Sequence, residues 1–445
     1  MKNKITLTNE ANSGGGIFID NGNCLLNQSS INNNEVLGGS GGGIVVLSGN
    51  IYVQNYSHID YNKAYNSAGI QEGNGNIYIT NGSSVNNNNS YNSGTGQAGG
   101  GGITISLGVV YISNSQICNN KTLGMYSGGI VSLVGNVIIK ESLICGNTNH
   151  GPGGGVAMNV GSLSISKSTI ANNVGSSLAG GVVSFSPSPS IVSIDESQIL
   201  SNTLTNVQTI KQSIGVFLSV VNNYLSGMSK QALLSGGSGG KKFIATIPEI
   251  SQNISNIQNI LNTLPIDQID HNSIGGGGIG LLLPTSLIIN KSIIKDNISG
   301  KKESTENIPF KAFGGGIYSF QAITNIQDSL IENNKSLTSG GGIWNNGEIN
   351  INNSKIVGNK SFEYDAGGID NQVNGVIVLT NTKIEHNETK NNGGGIDNSG
   401  SLDMFSSSIA KNCASNGGGI YSNKSFNQFD SKIKYNCPDN IKFHT

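Results

Sequence analysis

The segment Ile331-Glu332-Asn333-Asn334-Lys335-Ser336-Leu337-Thr338-Ser339-Gly340-Gly341-Gly342-Ile343-Trp344 carries the unit that the rest of the chain repeats. An apolar residue, two variable positions and an asparagine lead through a short polar link to a glycine cluster and an isoleucine. Aligned on that cluster, an isoleucine or valine stands at 17, 44, 70, 103, 130, 156, 182, 279, 317, 343, 369, 396 and 420, most steps being 26 or 27 residues. Downstream, the second element, Φ-x-x-Asn with Φ apolar, ends at Asn34, Asn62, Asn88, Asn120, Asn147, Asn173, Asn202, Asn297, Asn334, Asn359, Asn387, Asn412 and Asn436. A period of this length in thirteen registers marks a stacked-repeat architecture.

Between the two elements lies a third apolar piece with strand alternation, as in Ile51-Tyr52-Val53, Ile77-Tyr78-Ile79, Val110-Tyr111-Ile112, Leu163-Ser164-Ile165 and Ile349-Asn350-Ile351. Each unit therefore reads as three short strands joined by Gly, Asn and Ser turns. None buries its own apolar face, so the units must stack. The expected fold is all-β, a single-stranded right-handed parallel β-helix of about 13 coils. Charge supports this. Equivalent residues of neighbouring coils lie about 4.8 Å apart, where like charges repel, and charged residues are only 11% of the chain. Asparagine amides can form an inward ladder at a corner, each donating to the carbonyl of the next coil. The 64 glycines concentrate before the first strand, where a tight corner needs positive φ or no Cβ.

The pairing of Gly-Gly-Gly-Ile with Ile-x-x-Asn resembles the G-G-A-[I/L/V] and F-x-x-N tetrapeptides of the chlamydial polymorphic outer-membrane protein repeats, and more loosely the pectin-lyase-like β-helix superfamily. The resemblance implies a β-helix and an adhesin-like role at the cell surface or outside the cell. Glycine replaces alanine in the first motif and isoleucine replaces phenylalanine in the second. Nothing resembles the translocating barrel of those proteins.

Three segments are expected: coils over 1–204, a helical insertion over 205–273, and coils again over 274–445. In the insertion, Ile250, Ile254, Ile257, Ile260, Leu261 and Leu264 fall on one helical face. Val207 to Leu234 is less regular. It is either the second helix of a hairpin docked on the shaft or, through Ile214-Gly215-Val216-Phe217, a degenerate coil. A long polar link, 299–313, leaves the shaft at the same corner. Met1 to Ser13 lack the apolar run of a signal peptide, and no stretch reaches the ~20 apolar residues of a membrane span. Thr6-Leu7-Thr8-Asn9 fits a degenerate Φ-x-x-Asn, so the chain opens partway round a coil, which suggests a missing upstream segment or end-on self-association. A net charge of −1 without a basic patch argues against nucleic acid.

The residue after the Gly-Gly-Ile isoleucine should face outward by strand alternation. In the C-terminal coils this column is Tyr318, Trp344, Asp370, Asp397 and Tyr421, a mix of aromatic faces and acids suited to sugars. Tyr52, Tyr78 and Tyr111 form a second outward column, either a platform for sugar rings or a ladder that stiffens the shaft. Asp370 and Asp397, one coil apart, should repel, raising the pKa of one or holding a cation. As acid and nucleophile they would make the chain a carbohydrate-active enzyme, but no third acid, catalytic lysine or arginine aligns with them, and the chain has no arginine at all. The favoured expectation is a non-catalytic shaft presenting a surface to a glycan or a cell-surface protein. Histidines 58, 150, 271, 386 and 444 lack ligand spacing, so neither a metal site nor a cofactor is expected. Cys118 with Cys145, and Cys413 with Cys437, occupy stacked slots within disulfide range, although the missing export signal favours reduced thiols. Cys24 should be an unpaired core thiol.

Overall fold

The computed structural model describes residues 4–5, 14–91, 99–123, 127–151, 153–176, 178–184, 190–205, seven scattered positions from Ser238 to Gln252, 273–282, 285–300 and 311–444. Two compact units emerge: Met1–Ser176 with Lys211–Ile269, and Ser177–Ile210 with Asp270–Thr445. Each is a parallel β-solenoid. In the first, one turn consists of Ile44–Gln54, His58–Asp60 and Lys63–Asn66. It pairs in parallel with the next turn, Ile44 with Ile70, Tyr52 with Tyr78, Ile59 with Val85 and Ala64 with Ser90. In the second, Ile317–Gln327, Leu330–Glu332 and Lys335–Ser336 play the same parts.

The turn keeps three strands in these coils, but their boundaries differ from the expectation. The first and second apolar pieces fuse into one eleven-residue strand in Ile44–Gln54, Ile70–Thr80, Ile103–Ser113 and Ile130–Lys140, and a short strand follows the asparagine. In these four coils the join carries a file of glycines. A Cβ on Gly75 would lie 1.4 Å from the Gly49 carbonyl oxygen, so the coils could not approach at that bend with any other residue. The isoleucines at 44, 70, 103 and 130 stack inward with no solvent exposure.

The asparagine corner is more completely bonded than the sequence suggested. Asn62 Nδ2 donates to Asn88 Oδ1 at 3.0 Å and, in the preceding coil, to the Ile31 carbonyl at 2.9 Å. Asn62 Oδ1 accepts from Asn34 Nδ2 at 2.9 Å and from the Asn34 main-chain N–H at 3.1 Å. Both donors and both lone pairs are used. Asn297, Asn334 and Asn359 repeat the pattern in the second unit. The residue before each ladder asparagine sits in the left-handed region, for example Asn33, Tyr61, Asn87 and Asn119. That strain at a tyrosine is tolerated because the ladder over-determines the bend.

A second ladder runs five residues upstream. Ser29 N–H donates to Ser57 Oγ at 3.1 Å and Ser57 N–H to Ser83 Oγ at 3.2 Å. In the second unit Ser197, Ser292, Ser329 and Ser354 continue it one to the next. The repeated motif is therefore Ser-x-Φ-x-x-Asn.

The second unit pairs straight across the insertion. Val182 pairs with Ile279, and Asn202 Nδ2 donates to Asn297 Oδ1 at 3.0 Å across 95 residues. The expected helical hairpin and its degenerate-coil alternative lie almost wholly outside the described residues, as do 301–310 of the polar link. At the start, Ile5 pairs with Ile31, which puts Ile5, not Thr6, in the apolar slot. Among the described residues no helix is long and apolar enough to cross a membrane.

Replacing Asn359 by alanine strips the partners of Asn334 Nδ2 and of the Ile331 carbonyl while both stay buried. The expected cost is about 3 kcal/mol, against less than about 0.5 kcal/mol for the exposed Asn352→Ala. Denaturant midpoints of the two variants check this, and equal midpoints would contradict the ladder's role.

Candidate functional site

The file expected after the Gly-Gly-Ile element exists. Tyr318 pairs with Trp344, Trp344 with Asp370, Asp370 with Asp397, and Asp397 with Tyr421. Its exposure does not match the expectation. Tyr318, Trp344, Asp370 and Asp397 are only 1%, 7%, 5% and 8% exposed, and Tyr421 is half-buried. The cause is the link between the ladder asparagine and the glycines, which folds over this side of the strand. Ser339, in that link, donates to Asp370 Oδ2, and the Phe313 ring lies 5.4 Å from Trp344. The same holds in the first unit, where Val45, Gln71, Thr104, Val131 and Ala157 occupy the file and all are buried. Alternation correctly places these side chains away from the isoleucine core. They enter a second, thinner interior rather than solvent.

Within that interior, Tyr318 and Trp344 stack at 4.6 Å and 8°, and Trp344 Nε1 finds no partner among the described residues. Next to them is a cluster of acids. Asp370 accepts from Ser339 and from Gln372 Nε2 at 2.6 Å. Asp365, absent from the sequence reading, lies in the link and accepts the Asn392 N–H at 3.1 Å. Burial raises all three carboxyls. Asp370 goes to about 6, its hydrogen bonds opposing the shift and Asp365 adding to it; Asp397 goes to about 9 through burial and then the charges of Asp370 and Asp365; and Asp365 is also raised. Asp397 therefore keeps its proton at neutral pH, with burial as the first cause and the like charges anticipated from the sequence as the second. Among the described residues no group of acids, histidines or cysteines is arranged to hold a metal. The first unit has a comparable acid, Glu72, fully buried between Val46 and Ile105, its pKa raised by burial against the nearby main-chain donors.

The tyrosine column is the part of the expected surface that reaches solvent. Tyr52, Tyr78 and Tyr111 are half-buried in successive coils. Tyr52 and Tyr78 stack at 5.0 Å and 5°, Tyr111 follows at 6.3 Å tilted by 48°, and Lys140 Nζ lies 5.8 Å from the Tyr111 ring centroid. Ring faces are spent on one another, so edges and hydroxyls point outward. At the adjoining corner an open groove of about 480 Å³ is lined by Asn114, Gln116, Glu141, Lys167 and Thr169, among others. It spans successive coils. Amide, carboxylate, ammonium and hydroxyl groups converge there, a donor and acceptor set that suits a polar ligand.

The strands beside the groove end in Cys118 and Cys145, which are disulfide-bonded with Cα atoms 4.5 Å apart; Cys413 and Cys437 are bonded with Cα atoms 4.8 Å apart. The expectation of reduced thiols at these pairs is thus replaced. Cys24 is free and buried, its thiol pushed up to about 11 by burial and then by Glu72.

No family model, curated protein or solved structure matches this chain.

The acid cluster sets a pH dependence with a definite sign. Native carboxyls with raised pKa bind more protons than the unfolded chain, so their contribution is full below about pH 4 and is lost as pH rises through the native values. Asp397→Asn should match wild type near pH 4 and exceed it by about 2 kcal/mol near pH 8. Urea unfolding of the two proteins at both pH values measures this; a wild-type stability that rises with pH while the variant stays flat would contradict it.

Proposed function

We propose that this chain is a non-catalytic, adhesin-like or structural repeat protein that presents a lateral surface to a glycan or a cell-surface protein. The observation that carries this reading is the solvent-facing tyrosine column beside the polar corner groove of the first unit. Recognition is assigned to the groove and to the half-exposed column of Tyr52, Tyr78 and Tyr111 in the same unit. The Trp344 file serves the reading differently. Enclosed aromatic stacking there holds the link in place and so gives the shaft its outer skin. The tetrapeptide resemblance to polymorphic outer-membrane protein repeats supports the adhesin-like side of the proposal. Two disulfides between consecutive coils support maturation in an oxidising compartment, and with it a place at the cell surface or outside the cell.

A second reading keeps Asp370 and Asp397 as the acid pair of a polysaccharide hydrolase or lyase. Their raised, separated protonation favours it, whereas enclosure beneath the Ser339 link opposes substrate entry.

On arrays of glycans and of extracellular-matrix proteins, the full chain should bind a subset, and Gln116→Ala combined with Lys167→Ala should reduce that signal at least about tenfold, equivalent to ~1.4 kcal/mol. Binding that survives this double substitution would remove the groove from the proposal. Release of new sugar ends that is abolished by Asp370→Asn with Asp397→Asn would instead favour the enzyme.

A further inference from the structure

Thirteen Asn-x-Ser/Thr tripeptides occur in the chain, and two rules of the fold account for eleven of them. Six are built on ladder asparagines: Asn88-Asn89-Ser90, Asn120-Lys121-Thr122, Asn297-Ile298-Ser299, Asn334-Lys335-Ser336, Asn359-Lys360-Ser361 and Asn387-Glu388-Thr389. In four of the six the hydroxyl two residues on has its own task in the link. Ser90 Oγ donates to the Tyr65 carbonyl at 3.0 Å and Ser299 Oγ to the Gly275 carbonyl at 2.6 Å, while Ser361 and Thr389 donate to the carbonyls of Thr338 and Tyr364. A different set, including Asn27-Gln28-Ser29, Asn81-Gly82-Ser83 and Asn352-Asn353-Ser354, arises where an asparagine precedes a rung of the serine ladder, and in these three the asparagine is exposed. These tripeptides, expected by chance in a chain so rich in asparagine, recur because two corners demand their residues.

We infer that ladder formation and asparagine-linked glycosylation exclude one another in this chain, so that six of its acceptor tripeptides are closed to sugar in any folded molecule. The transfer forms a bond from the asparagine amide nitrogen to the sugar's anomeric carbon, with loss of one amide hydrogen and departure of the lipid pyrophosphate carrier of the donor. Neither amide hydrogen is to spare. At Asn88, Asn120, Asn297, Asn334, Asn359 and Asn387, Nδ2 donates one to the amide oxygen of the next coil and the other to a main-chain carbonyl of the preceding coil. All six asparagines are at most 1% exposed, which leaves no room for a glycan. Accessible acceptors such as Asn27, Asn81 and Asn352 lack that conflict. A transferase that meets the unfolded chain therefore blocks its folding at the first ladder site it modifies. The chain must fold before, or away from, such an enzyme.

The test expresses the full chain in a eukaryotic secretory host, with and without an inhibitor of glycan transfer, and separates protease-resistant from protease-sensitive product. Glycosylated asparagines are mapped in each fraction by mass spectrometry. Glycan on the six ladder asparagines is expected only in the sensitive fraction, and blocking transfer should raise the resistant yield at least about tenfold, equivalent to ~1.4 kcal/mol. Resistant protein bearing glycan on any of the six overturns the inference. So does a resistant yield that the inhibitor leaves unchanged although the six asparagines carry glycan in the sensitive fraction.

Discussion

The buried asparagine amide, bonded to the coil above and to the coil below, is the constraint from which the rest of the structure follows. A primary amide has two donors and two lone pairs, and at Asn62 all four are directed along the stacking axis. This removes the cost of burying a polar group at a corner and ties each turn to both neighbours. It also fixes register. A slip of one residue in any coil would put a variable side chain where the amide belongs, and the isoleucine stack would fail at the same moment. Serine hydroxyls repeat the device at the adjacent corner with a smaller group, each serving the N–H of the coil before. Two corners, pinned by different side chains, leave the intervening strand only one length.

A stack of this kind is intolerant of charge, and the buried acids show how the chain accommodates that. Asp365, Asp370 and Asp397 lie close together, and burial shifts all three towards the protonated form, Asp397 furthest. Burial shifts Glu72 in the same direction in the core of the first unit. Among the described residues ion pairs lie at the surface, as between Lys295 and Glu332 at 2.8 Å and between Lys360 and Glu388 at 2.8 Å, where opposite signs occupy the same file. Such exposed pairs contribute little to stability. They do prevent the repulsion that like charges would create at that spacing.

The fold was largely legible because its two recurring elements, Gly-Gly-Ile and Φ-x-x-Asn, impose chemistry that few other residues can supply. The serine ladder was equally regular, Ser57 standing before Asn62 as Ser354 stands before Asn359, yet serine is common enough in turns to be taken for one. Site residues were legible only in register. Strand alternation told that Trp344, Asp370 and Asp397 point away from the isoleucines, but not that the link carrying Ser339 would close over them. Coverage by an irregular segment leaves no periodic signal. Asp365 escaped for the same reason, since it belongs to that segment and not to a strand. The tyrosine column was placed correctly, and only ring geometry revealed that its faces are occupied by one another.

The pairing that spans the insertion also has a kinetic side. Elsewhere a coil finds its successor within 38 residues of newly made chain, as Ile279 finds Ile317, so winding can keep pace with synthesis as a zipper does. At Val182 the successor, Ile279, is almost a hundred residues away, and the growing edge must wait with its amides and strand backbone unsheltered until that length has emerged. Loop closure over the longer span adds only a small entropic penalty, so the delay is one of arrival, not of affinity. The interval makes this edge the natural place for strand-to-strand misjoining between neighbouring chains.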